Sequence, residues 1–192
     1  MSNPIHEAGH CVFAYLFAVP ISSASTSQVE STEVSDTKVD MLLRRLFVAF
    51  GGSAAEMQCC DTSDPESQSD ICLNGIYDRG QAQELSTRIA QLEEREDFRE
   101  QVGQGLYEGI EEFVQTAAHR PDVFRAIQRL ASELRTKDTL TGSEIEEILV
   151  KLVDRQPFER SFHRFLRDLY DPKLDTVAVR PMLNDGDGVP AS

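Results

Sequence analysis

Residues 6 to 10 read His-Glu-Ala-Gly-His, and this short run constrains the chain more than any other stretch. Two histidines four positions apart lie one above the other on a helix, so His6 and His10 can offer imidazole nitrogens to one metal ion. Glu7 sits a little way round the same helix, where a carboxylate can take a proton from water as it attacks a carbonyl. The surrounding residues suit a helix: Asn3 can cap it, Pro4 fits the first helical position, and Phe13 and Phe17 extend the face that carries the histidines. Val19-Pro20 ends it. Gly9 costs a helix interior about 1 kcal/mol, and with Ala8 it leaves a nearly bare stripe where another element can pack closely. A buried amphipathic helix whose histidines are satisfied by hydrogen bonds fits the same run, so a third ligand has to decide.

The remaining composition narrows the field. With 192 residues the chain suits one domain, and a domain of this size buries about 70% of its unfolded surface, so it needs no metal merely to fold. Any zinc here serves chemistry. The formal charge of −14 argues against nucleic acid and anionic membrane partners, both of which call for basic patches. Cys11, Cys59, Cys60 and Cys72 form no C-x-x-C pair, which points to reduced thiols in a cytoplasmic or other reducing soluble compartment. No segment of the sequence reads as a signal peptide, and the run HCVFAYLFAV is too short to span a bilayer, so no direct membrane insertion is expected.

Along the chain, residues 21–37 are dominated by serine and threonine and read as a loop or a short polar hairpin. From Val39 the pattern turns helical, with Leu42, Leu43, Leu46, Phe47 and Phe50 on one broad face. Gly51-Gly52 then mark either a close backbone approach or a break between two helices. Residues 61–77 read as a polar loop, which sets Asp78 at the N-terminus of a helix carrying Ala82, Leu85, Ile89 and Leu92. Three further helices are expected at about 98–118, 122–135 and 144–153, the last opened by a capping box from Ser143 to Glu146. A final amphipathic helix carries Phe158, Phe162, Phe165, Leu166 and Leu169 on one side and is closed by Asp171-Pro172. His163 lies off that face and reads as a surface residue.

Three separate segments, HEAGH, FVAFGGSAAE and NGIYDRGQAQEL, resemble in order the zinc-helix, glycine-alanine-glutamate and aspartate segments in the peptidase domain of FtsH-type ATP-dependent zinc metalloproteases. A fourth, LASELRTKDTLTGSEIEEIL, is similar to that family's C-terminal pattern. Order and approximate spacing hold from His6 to Leu149, about three quarters of the chain.

The resemblance implies that His6 and His10 are zinc ligands, that Glu7 is the catalytic base and that Asp78 is the third ligand. In the family pattern an alanine follows the aspartate by four positions. Ala82 supplies it here, whereas Asp70 lacks that partner. Glu56 matches a glutamate close to the zinc helix, which implies that it orients a ligand imidazole from behind. A solvated helix glutamate is the competing reading, since most charged residues are exposed. Two imidazoles and one carboxylate leave a fourth position for water, the open arrangement of a catalytic zinc.

The expected fold is therefore mainly α: a zincin-like HExxH helix in a multi-helix domain of FtsH-peptidase type, with at most a small β-hairpin. Residues 1–154 would form this zinc domain, 155–175 an additional helix packed on it, and 176–192 an extended or disordered tail. The expected activity is that of a zinc-dependent metalloendopeptidase acting on unfolded chains or peptides, and the alternative is a non-catalytic binding or assembly module of the same fold. No segment resembles the family's ATPase module or membrane anchor, so a stand-alone domain is expected, with a homo-oligomer or a separate unfoldase as partner.

Overall fold

The computed structural model describes residues 3–31, 39–59, 65–93 and 107–169. Its first helix, α1 (Pro4–Leu16), sits at the centre. Asn3 caps it as expected, accepting the backbone N–H groups of Ile5 and His6 through its side chain, and Pro4 occupies the first helical position. Ala8, Gly9, Cys11, Val12, Phe13, Ala14 and Leu16 are all buried, so the helix is enclosed on several sides. After it come β1 (Ile21–Ser25), β2 (Val29–Ser31), α2 (Val39–Ala49), α3 (Gly51–Cys59) and α4 (Pro65–Glu93). The chain continues through α5 (Tyr107–Ala118), α6 (Pro121–Lys137), β3 (Thr139–Thr141), α7 (Gly142–Leu149) and α8 (Gln156–Leu169).

The mainly helical expectation holds. The hairpin β1–β2 gains a third short strand, giving an antiparallel sheet in the order β2-β1-β3, with Ala24 of β1 paired to Val29 on one side and Leu140 on the other. None of the helices searched among the described residues is long and apolar enough to cross a membrane.

Both readings of Gly51-Gly52 are realised. The pair separates α2 from α3, and it also lies against α1: a Cβ on Gly9 would stand 2.3 Å from the Gly51 carbonyl oxygen and 2.7 Å from the Ala55 Cβ. The two helices meet backbone to backbone because neither carries a side chain there.

The C-terminal end of α1 feeds a phenylalanine cluster. Phe17 stacks on Phe47 with centroids 4.5 Å apart, and Phe113, Phe158 and Phe162 approach Phe17 edge-on. Through Phe158, Phe162 and Phe165, helix α8 belongs to the same core as α1 and α2. His163 is exposed, in line with its place off the apolar face.

Two sequence expectations need correction. Residues 65–77, read as part of a polar loop, belong to the long helix α4, so Asp78 lies in a helix interior and not at an N-terminus. The serine, aspartate and asparagine content that suggested a loop is only a weak local preference, which tertiary context overrides. The capping box of α7 runs from Thr141 to Glu144, not from Ser143 to Glu146. Both pairs satisfy the same four-residue pattern, and the strand pairing of Thr141 with Ser23 fixes where the helix begins. The earlier half of the helix expected at 98–118, the Asp171-Pro172 stop and the tail at 176–192 lie outside the described residues.

Candidate metal centre

The first two turns of α1 bring His6 and His10 to one side, and Asp78 of α4, a helix packed on α2 and α3, completes the group. The two Nε2 atoms are 3.0 Å apart, and Asp78 Oδ1 stands 3.5 Å from His6 Nε2 and 3.4 Å from His10 Nε2. Asp78 is 3% exposed, which is unusual for a carboxylate unless something opposite in charge compensates it. These three residues could hold a metal ion.

The atoms behind the triad fix its orientation. His10 Nδ1 lies 2.8 Å from the Val48 carbonyl oxygen. A carbonyl only accepts, so Nδ1 carries the proton and the neutral ring has its lone pair on Nε2. Asp78 Oδ2 accepts the backbone N–H of Ser53 at 3.0 Å, in the first turn of α3, which leaves Oδ1 facing the histidines. His6 Nδ1 is buried without an aligned hydrogen-bond partner, and it faces Glu56 Oε2 at 3.4 Å. Glu56 itself is fully buried and accepts a hydrogen bond from the Asn3 side-chain amide. The solvated reading of Glu56 is therefore wrong: the carboxylate lies inside the molecule, behind the His6 ring.

This packing makes a strongly negative cage around two imidazoles. Burial works against a charged His6, yet Asp78 and Glu56 outweigh it and hold its pKa up at about 10. Burial would raise Asp78, but His10 and His6 prevail and keep it well below the usual carboxylate range. Two Nε2 lone pairs cannot face each other at 3.0 Å with nothing between them. In the absence of a metal, a proton must take the place of a cation here.

Glu7 is buried beside the group and lines the same cleft. Burial pushes its pKa up, against the pull of His10 and His6. The cleft measures about 660 Å³ and runs from Asn3 and the histidines between the hairpin and α4, past Val29, Gln81 and Leu85. Buried Gly52 packs against the two rings: a Cβ there would stand 2.5 Å from His6 Cε1 and 2.6 Å from His10 Nε2. Tyr77, 74% exposed, stands on the rim.

Residue by residue, His6, Glu7, His10 and Asp78 share one cleft and Glu56 lies directly behind it, whereas His119, in the turn after α5, and His163, on α8, are exposed elsewhere. The contributions of Val48, Ser53 and Gly52, and the second bond of Asn3, were not read from the sequence. The paired glycines were a signal of close approach, but what approaches them was not legible. Comparison with family models, with curated proteins and with solved structures finds no match to this chain.

Proposed function

We propose that this chain is a zinc-dependent metallopeptidase-like domain of the FtsH peptidase type, with His6, His10 and Asp78 as ligands and Glu7 as general base. The observation that carries the reading is the convergence of Asp78, from a segment 68 positions beyond His10 in the chain, onto the two histidines of the HEAGH helix with its Oδ1 at 3.4 and 3.5 Å from their nitrogens. Ligand atoms held about 2.0–2.1 Å from a tetrahedral zinc lie about 3.3 Å from one another, close to the separations seen here. Two imidazoles with one carboxylate suit zinc better than calcium or magnesium, which favour oxygen throughout.

When bound, zinc would lower the pKa of its water to about 7 and polarise a peptide carbonyl. The protein residues supply the rest. The Val48 carbonyl keeps the His10 tautomer, Ser53 holds Asp78 to one free oxygen, and Glu56 backs His6. Glu7 takes a proton from the attacking water and returns it to the leaving amine, and burial, which pushes its pKa up, makes it a better proton acceptor than an exposed glutamate.

The substrate class is an extended peptide or an unfolded chain. Among the described residues β2 pairs on one side only, with β1, and Val29 and Ser31 line the cleft. A peptide laid along this strand would gain backbone hydrogen bonds while its carbonyl lies at the metal group.

The test is cleavage of a quenched peptide library and of a denatured protein by zinc-loaded protein, wild type beside Glu7→Gln. Loss of a general base should reduce the rate about 10²-fold or more while zinc content stays the same. A wild type that holds one zinc per chain and cleaves neither substrate would reject the peptidase reading in favour of a binding or assembly module.

A further inference from the structure

We propose that Asn3 is a positioning residue of this metal site, because its single amide group fixes both the helix end that presents His6 and the carboxylate that stands behind the His6 ring. The inference rests on the zinc reading above.

The side-chain oxygen of Asn3 accepts the backbone N–H groups of Ile5 at 3.1 Å and His6 at 3.4 Å, while its amide nitrogen donates to Glu56 Oε1. The other oxygen of Glu56 faces His6 Nδ1 at 3.4 Å. Rotating the amide by half a turn would set its oxygen against a carboxylate and its NH₂ against two N–H groups, so the orientation follows from chemistry alone. Asn3 thus closes a ring of contacts that leaves the first turn of α1, reaches across to α3 and returns to the histidine three residues on.

Among residues favoured as helix caps, asparagine is suited to both tasks. Serine or threonine can accept from the first turn, but the one short hydroxyl does not also extend an amide donor to Glu56. Aspartate caps at least as well and would place a second carboxylate against Glu56. The ordinary cap role therefore accounts for the acceptor atom and leaves the donor unexplained. That donor aims a buried carboxylate, and the carboxylate is placed to hold the proton on His6 Nδ1, the tautomer that leaves Nε2 to bind metal.

Asn3→Ser separates the two roles. It keeps a cap oxygen, so the first turn stays capped, while the lost donor to a buried carboxylate should lower the melting temperature of metal-free protein by about 3–9 °C. Zinc affinity, measured by competition with a chromophoric chelator, should fall about tenfold, the usual loss on removing a partner of a ligand. The visible spectrum of the cobalt-substituted protein should shift as the His6 ring loses its fixed orientation. Adding Asn3→Ser to Glu56→Gln should cost no further affinity, because the amide acts through that carboxylate. Equal zinc affinity in wild type and Asn3→Ser, or additive losses in the double variant, would overturn the positioning role and leave the zinc site standing. A wild type that binds no zinc would overturn both.

Discussion

Ser53 donates its backbone N–H to Asp78 Oδ2 at 3.0 Å, and this one bond decides which oxygen of Asp78 looks toward the histidines. Ser53 lies in the first turn of α3, where N–H groups have no helical partner and the helix dipole favours an anion. Asp78→Ala removes the carboxylate and leaves both imidazoles with no anionic ligand from α4. Zinc content of purified, untagged protein should fall from about one per chain to a small fraction of that. Asp78→Asn keeps an acceptor for Ser53 and should preserve the fold better than alanine, yet it too should lose the metal, because a neutral amide replaces the charge. Metal analysis with a parallel thermal melt distinguishes these outcomes.

Gly52 and Gly9 should fail in different ways. At Gly52 a Cβ meets the two ligand rings, at 2.5 and 2.6 Å. Side chains can swing aside, so Gly52→Ala should leave a folded protein with metal affinity reduced 10-fold or more, by analogy with other losses of ligand positioning. At Gly9 the obstacle is the backbone carbonyl of Gly51, 2.3 Å from a new Cβ, and neither helix can yield without moving the other. Gly9→Ala should destabilise the protein by about 1–3 kcal/mol, the range for overpacking a well-filled core. Urea denaturation and chelator competition on the two variants would show whether the losses separate in this way.

What could be read from residues alone was the central helix. Asn3, Pro4 and the histidine spacing are local signals, and each corresponds to a feature of α1, which ends at Leu16, ahead of the expected stop at Val19-Pro20. Gly51-Gly52 announced close packing because no other residue pair leaves a helix so bare. Asp78 was singled out only by resemblance to a family pattern, since nothing local distinguishes it from Asp70. Its own surroundings misled: a serine-rich and aspartate-rich stretch was read as a loop although residues 65–77 lie inside a 29-residue helix. Glu56 shows the deeper limit. Its burial depends on Asn3 and His6, both fifty or more positions away, and a lone helix glutamate carries no mark of such partners.

The pH dependence of stability should flatten when zinc is added. In metal-free protein His6 is held up at about 10, against its ordinary 6.5, as Asp78 and Glu56 overcome the cost of burial. A group with a raised folded pKa contributes stability that is complete below its unfolded value and is lost as pH climbs through the folded one. Asp78, depressed from 3.8, contributes in the other direction: its share is present above that value and is lost as pH falls. The melting temperature without metal should therefore decline from about pH 6.5 toward 10 through this pair. Zinc needs the imidazoles unprotonated, so the rise in melting temperature on adding a fixed free zinc concentration should grow over the same interval. Calorimetric titrations in buffers of different ionisation heat should register about one proton released per zinc at pH 7. A zinc increment that stays flat across this range would contradict His6 as a ligand.

The attachment of α8 should depend on Arg44 more than on any of its partners. The guanidinium is buried, donates to the Phe17 carbonyl at 2.7 Å and to Glu159 at 2.9 Å, and lies 4.3 Å from the centre of the Phe162 ring. Its Nε also donates to Asp40 at 3.1 Å, whose side chain is 49% exposed. One residue of α2 thereby ties the end of α1 to the helix that supplies Phe158 and Phe162 to the core. Arg44→Met keeps the apolar stem but leaves the Phe17 carbonyl and Glu159 without their donor, which should cost about 3 kcal/mol, as for other broken buried pairs. Glu159→Gln retains an acceptor and should cost about 1 kcal/mol. Asp40→Ala removes a solvent-screened pair and should change stability by about 0.5 kcal/mol or less. Urea denaturation gives the three values, and amide exchange localises them: Arg44→Met should speed exchange in α8 before the first turns of α1, where His6 and His10 sit. If Asp40→Ala proved as costly as Arg44→Met, the pair within α2 would be the anchor and the contact with Glu159 incidental.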